Sequence, residues 1–154
     1  MRMSELIERT DPAIEKPPGF ILTQRQSEAM GIMARPTTRH ALLYGGSRSG
    51  KTALIIRAMC LRAMRAPGSR HAALRFRFNA CKASIALDTF PKVMRLAFPS
   101  IGYQIDKTSW FAAFPNGSEL WFAGLDDKER TEKILGQEFA TLLLSECSQI
   151  SWQA

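Results

Sequence analysis

Cysteine is scarce in this 154-residue chain, and the three present, Cys60, Cys81 and Cys147, are odd in number and widely spaced. That excludes a disulfide framework and fits no zinc-ligand spacing, which points to a reducing compartment such as the cytoplasm. Each cysteine reads as a small buried apolar residue. No apolar run approaches the length that spans a bilayer, and the opening stretch Met1 to Arg9 is charged throughout, unlike a secretory signal. Repeats and low-complexity tracts are absent too. Acidic residues are in deficit, 14 against 21 Lys and Arg, leaving a net charge of +7 and a pI near 9.8. Such an excess suits a polyanionic partner, although charge alone is a weak signal. With 45% hydrophobic and 23% charged residues, the composition is that of one globular domain able to bury a core.

What the chain does have is Gly45-Gly46-Ser47-Arg48-Ser49-Gly50-Lys51-Thr52, the phosphate-binding pattern G-x-x-x-x-G-K-[ST]. Glycines let the backbone turn tightly, so that successive N–H groups form an anion nest. Lys51 is a point charge for the β- and γ-phosphates of a nucleotide, and the Thr52 hydroxyl suits Mg²⁺. Context decides whether so short a pattern has meaning. Upstream, the apolar run His40 to Tyr44 predicts a buried parallel strand. Downstream, Leu54, Ile55, Ala58, Met59, Leu61 and Ala63, interleaved with Arg57, Arg62 and Arg65, predict an amphipathic helix over 52–65 whose N-terminal dipole faces the phosphates. The three arginines are candidate contacts to a polyanionic partner, weighed against a solvated helix face.

Around this unit, residues 1–19 read as an N-terminal arm and 20–154 as the nucleotide-binding domain. Thr23 and Gln26 have capping-box spacing for a helix from Gln24 towards Met33. Leu74, Phe76 and Phe78 alternate with Arg75 and Arg77, predicting a strand over 72–78 with one face less buried. A helical stretch over 82–98 is expected to kink or split at Pro91. Short runs follow near Gly102 to Ile105, Trp110 to Phe114 and Glu119 to Phe122. Pro115-Asn116-Gly117-Ser118 joins the last two as a hairpin turn, because Asn-Gly tolerates positive φ. Residues 124–136 read as a charged loop with a short helix, and Phe139 to Leu144 as a second buried parallel strand.

That second strand ends in Ser145-Glu146, at the end of a parallel strand where ligands of open α/β sheets bind. Glu146 is therefore the candidate general base or water-orienting residue. Ser145 stands where an acid would hold Mg²⁺. Two arrangements are open: the ion rests on Thr52 and waters with Ser145 beyond, or hydrolysis is poor. Arg48 sits inside the loop, where a guanidinium reaches the γ-phosphate in cis or pairs with a nearby acid. Gln26 presents a planar amide beside the loop, which suits an adenine edge or is an ordinary exposed helix glutamine.

Leu22 to Gln26, Tyr44 to Thr52, Phe114 to Ser118, Phe122 to Asp126 and Leu142 to Ile150 together resemble the N-terminal ATPase domain of the large terminase subunit of phages and prophages, a motor that packages double-stranded DNA into procapsids. The resemblance implies an ASCE-type P-loop fold, with a mostly parallel sheet flanked by helices and carrying an antiparallel hairpin. It implies ATP and Mg²⁺ as cofactors, Gln26 on adenine, Arg48 and Lys51 on phosphate, and Glu146 as the catalytic glutamate. Implied partners are duplex DNA, a small terminase subunit, a portal and further copies in a ring, in the host cytoplasm and away from membranes. The family continues past the equivalent of Ala154 with a coupling motif and a nuclease domain, so a fragment with an incomplete sheet is expected. Two other functions compete. One is the first half of a helicase-like ATPase; the other is a nucleotide-binding module without turnover, which the serine at 145 favours.

Overall fold

The computed structural model describes residues 19–126, 131–132, 134 and 136–150; the expected arm lies almost wholly outside them. Helix α1 spans Gln24–Met33 and starts as the spacing requires. The Gln26 N–H donates to Thr23 Oγ1 at 3.3 Å, and the Thr23 N–H donates to Gln26 Oε1 at 3.0 Å. Helix α2, Lys51–Arg65, buries Leu54, Ile56, Met59, Cys60 and Ala63 and places Arg62 and Arg65 in its last turn, where cations complement the helix dipole.

The five strands are β1 (Arg70–Arg75), β2 (Gln104–Asp106), β3 (Phe111–Ala113), β4 (Glu119–Gly124) and β5 (Thr141–Leu144), in the order β2-β3-β4-β1-β5. Strand β1 is parallel to both β4 and β5, whereas β2-β3 and β3-β4 are antiparallel. The result is an α/β sheet, parallel at one end and antiparallel at the other. Its larger core lies on the face covered by α2 and by the helical segment after β1, around Ile56, Met59, Phe90, Leu120 and Phe122. Phe90 anchors it with edge-on contacts to Tyr103, Phe114 and Phe122. The opposite face carries a smaller cluster, Ala72, Leu74, Ala123 and Ile134.

Several sequence expectations change. Residues His40 to Tyr44 form no strand: Leu42 and Tyr44 are 76% and 89% exposed, and the run pairs with nothing among the described residues. A strand exists only through a neighbour's hydrogen bonds, and an apolar run alone cannot supply them. Strand β1 is buried on both faces from His71 to Leu74 because it has parallel neighbours on each side, which its alternating pattern does not convey. It also stops at Arg75, since Phe78 begins a helix. Strand β5 is parallel as expected, but it forms an edge, with Leu142 and Leu144 about half exposed.

The helical segment over 78–97 is continuous rather than split: α3 (Phe78–Cys81), a π-helical stretch (Lys82–Thr89) and α4 (Phe90–Ala97). The wider π turn precedes Pro91, and the Phe90 N–H reaches back to the Ile85 carbonyl. In the hairpin, Gly117 takes φ 79° but Asn116 stays outside the positive region. Asn116 works instead through its side chain. Its Nδ2 donates to the carbonyls of Ala63 (2.9 Å) and Met64 (3.2 Å), and its Oδ1 accepts from the Ser118 N–H and hydroxyl. Gly124, which closes β4, has a packing reason: a Cβ there would lie 2.3 Å from the Phe78 nitrogen. Asp126 Oδ1 accepts that same N–H at 3.0 Å and starts α3.

Candidate functional site

The loop from Gly45 to Gly50 leads straight into α2. Gly50 caps the helix at φ 80°, no side chain among the described residues bonds to the first-turn N–H groups, and Gly45 and Arg48 also take positive φ. A helix start left without a side-chain cap is an anion site in waiting, because its orphan N–H groups and dipole converge there. Lys51 Nζ turns back over the loop, donating to the carbonyls of Gly45 (3.0 Å) and Gly46 (2.7 Å) and to Ser49 Oγ (3.1 Å). All three acceptors are neutral, and Lys51 forms no ion pair among the described residues. The donor set suits a polyphosphate.

Gln26 is brought to the same loop. Its Nε2 donates to the Ser49 carbonyl at 3.1 Å while its Oε1 holds the cap of α1, so both ends of the amide are already in use. Arg48 and Ser47 are exposed on the loop, and Thr52 lies half-buried in the first turn of α2. Arg48 makes no ion pair among the described residues.

The second half of the site stands at the end of β5. The Ser145 N–H donates to the Leu74 carbonyl at 2.8 Å, which extends the parallel ladder and buries the serine. Glu146 then turns into the left-handed region (φ 54°, ψ 47°) and starts a short 3₁₀ turn, Cys147–Gln149. A non-glycine residue held there stores strain, a feature that gathers at functional sites. Its Oε2 is paired with the guanidinium of Arg75, from the end of β1, and accepts from Gln149 Nε2 at 3.0 Å. The Arg75 hydrogen bond, assisted by the one from Gln149, holds the carboxyl below its ordinary pKa. No hydrogen bond or ion pair joins the phosphate loop to Ser145 or Glu146 among the described residues.

Sequence reasoning misses Arg75 and Gln149. Arg75 reads there as the outer face of an alternating strand, and only the pairing of β1 with β5 brings it to Glu146. Among the described residues no cluster of His, Cys, Asp or Glu has metal-binding form. Of the two hydroxyls expected at Mg²⁺, Thr52 stands in the first turn of α2 and Ser145 is buried at the end of β5. Among the arginines of α2, Arg57 is not a free surface cation: its guanidinium lies 5.5 Å from the centre of the Phe20 ring. No helix among the described residues is long and apolar enough to cross a membrane.

No curated protein sequence matches the chain. Among solved structures, the large terminase of a thermophilic bacteriophage superposes with a TM-score of 0.69 at 13% identity, over 85% of this chain and 34% of that one. At that identity the likeness shows the fold, and the chain spans about a third of the solved protein's length. The family of phage terminase large subunits matches residues 37–154, which include the phosphate loop, the hairpin and the strand ending in Glu146. The chain belongs to the phage terminase large subunit family.

Proposed function

We propose that this chain binds and hydrolyses ATP as the motor part of a machine that drives double-stranded DNA into a viral shell. The observation that carries the reading is the phosphate loop: among the described residues no side chain caps the start of α2, and the ammonium of Lys51 donates to three neutral oxygens. Gly45 to Thr52 would cradle the phosphates, with Lys51 on the β- and γ-phosphates and Arg48 free to swing towards the γ-phosphate. Bound Mg²⁺ would supply charge neutralisation at the phosphates, with Thr52 and Ser145 as its protein hydroxyls. Glu146 would accept from the attacking water. The adenine contact implied for Gln26 would require its amide to leave Thr23 or Ser49. Duplex DNA, a small subunit, a portal and a ring of copies in the host cytoplasm complete the proposal, which rests there on family membership.

The test is binding of a fluorescent ATP analogue with Mg²⁺, followed by phosphate release with and without duplex DNA. Lys51→Ala removes the charge that neutralises the triphosphate, and affinity is expected to fall by roughly a hundredfold or more. Glu146→Gln is expected to keep affinity and to lose turnover by about 10²–10⁴-fold. Equal affinity in wild type and Lys51→Ala removes the site. A second reading, nucleotide binding without turnover, is favoured by the engagement of Glu146 with Arg75. Tight binding with no phosphate release on DNA selects it.

A further inference from the structure

A groove of about 140 Å³ lies beside the last turns of α4, lined by none of the residues of the nucleotide loop or of the end of β5. Pro91, Met94, Arg95 and Phe98 line it at the i, i+3, i+4 and i+7 spacing that puts side chains on one helix face. Pro99 and Tyr103 line it from the chain that leads into β2. The Tyr103 ring is held by an edge-on contact with Phe90, centroids 4.9 Å apart, and its hydroxyl takes no hydrogen bond among the described residues. Two features decide what the groove can accept. The first is its supply of donors: the polar groups among the lining side chains are the Tyr103 hydroxyl and the Arg95 guanidinium, with no carboxylate or amide beside them. An ordinary extended peptide brings an N–H for every carbonyl, and N–H groups left without acceptors cost affinity. Prolines bring carbonyls and apolar rings without N–H groups, and they hold the extended conformation before binding. The second feature is charge. From Thr89 to Ile105 the sequence has Lys92 and Arg95 and no acid. Both cations are exposed on α4 and form no ion pair among the described residues, on a chain of net charge +7. Such a rim attracts an acidic partner and repels a basic one.

We propose that the groove between α4 and the start of β2 docks an acidic, proline-rich segment of a partner protein. The proline rings pack between Pro91, Phe98 and Tyr103, as such segments do in grooves walled by aromatic rings. The carbonyls of the segment accept from the Tyr103 hydroxyl and the Arg95 guanidinium, and its acids meet Arg95 and Lys92.

The experiment titrates the full chain into a fluorescein-labelled polyproline peptide flanked by glutamates, and into the same peptide flanked by lysines, and reads fluorescence anisotropy. The wild type is expected to bind the glutamate-flanked peptide tighter than the lysine-flanked one, by roughly tenfold or more. Arg95→Gln is expected to weaken the glutamate-flanked peptide about tenfold, because a charge-assisted contact is lost. Tyr103→Phe keeps the ring on Phe90 and loses the hydroxyl, so affinity should fall roughly 3–10-fold with the melting temperature unchanged. If Arg95→Gln does not fold, Tyr103→Phe carries the test. A wild type that binds neither peptide, equal affinity for the two peptides, or full affinity in both variants overturns the inference. Two other occupants would overturn it as well. A loss of duplex DNA affinity in Arg95→Gln with peptide affinity intact marks a phosphate contact, and a wild-type dimer in light scattering that Arg95→Gln dissolves marks a second copy of this chain. None of these outcomes bears on the nucleotide site, whose residues are untouched in both variants.

Discussion

Gln26 Nε2 donates to the Ser49 carbonyl at 3.1 Å, clasping the first turn of α1 to the phosphate loop one residue before its capping glycine. The clasp is tight: a Cβ added at Gly50, already at φ 80°, would lie 2.8 Å from that nitrogen. One side chain therefore serves two structures, the cap of α1 through Oε1 and the loop through Nε2.

Gln26→Glu separates these roles. A glutamate at the third helical position keeps the capping box and suits the helix dipole, so the melting temperature should hold. The donor to Ser49 disappears, and a carboxylate then faces a carbonyl beside the phosphate site. ATP and GTP analogues should both weaken several-fold and by the same factor, read by fluorescence titration. A loss confined to ATP would assign the amide to the adenine edge instead.

Asn116 is a second clasp, between the β3–β4 turn and the end of α2. Its amide satisfies the carbonyls of Ala63 and Met64 and holds the hydroxyl of fully buried Ser118 at 2.6 Å. Asn116→Ala leaves those groups without partners, at a cost of about 3 kcal/mol, which lowers the melting temperature by roughly 5–10 °C in a domain of this size. Asn116→Asp keeps the acceptor but sets a negative charge against helix carbonyls, so it should destabilise as well. An aspartate variant melting with the wild type would show that the donor half of the clasp carries no stability.

The parts of the fold that are legible from sequence are those whose cause is local. The cap at Thr23 and Gln26, the glycine loop opening a helix and the turn at Gly117 all depend on residues within a few positions of one another. The run over 40–44 misleads because apolar composition says nothing about whether a neighbour is there to pair with it. Phe76 and Phe78 continue a strand-like alternation into a helix start, which is fixed by the distant Asp126 and by the room left at Gly124. The Glu146 site is half legible. Its acid can be read from the end of an apolar run, but its partner Arg75 lies on another strand and needs the parallel register His71↔Thr141 to Leu74↔Leu144.

His71 gives the fold a pH limit. It is 1% exposed, with Nε2 2.9 Å from Ser69 Oγ, and burial, aided by the charge of Arg62, lowers its pKa to about 4. The Ser69 hydroxyl already donates to the Ala66 carbonyl, so Nε2 carries the proton and Nδ1 is the bare nitrogen. The unfolded chain takes up a proton near pH 6.5 and the folded chain only near 4. Stability should therefore fall as pH drops through that window, by about 2 kcal/mol between pH 7.5 and 5 from this residue. Urea unfolding at the two pH values, wild type against His71→Gln, isolates the contribution. An unchanged pH dependence in the variant would mean that His71 titrates normally.

The arginines of α2 divide by their surroundings, and the division is testable on DNA. Arg57 lies over Phe20, whose N–H donates to the Leu96 carbonyl, so it joins the stretch before α1 to the body of the domain. Arg62 and Arg65 are exposed in the last turn of α2 and form no ion pair among the described residues. The motor function proposed above requires contacts to phosphates rather than bases, so duplex affinity is expected to fall steeply with salt and to read no sequence. Arg57→Ala is expected to lower the melting temperature and leave the salt slope of duplex binding unchanged. Arg62→Ala with Arg65→Ala is expected to keep the melting temperature and flatten that slope by roughly one unit per lost phosphate contact. Filter binding to several duplexes at a series of salt concentrations reads both. An unchanged slope in the double variant would make these two arginines a solvated face that complements the helix dipole and would remove them as DNA contacts.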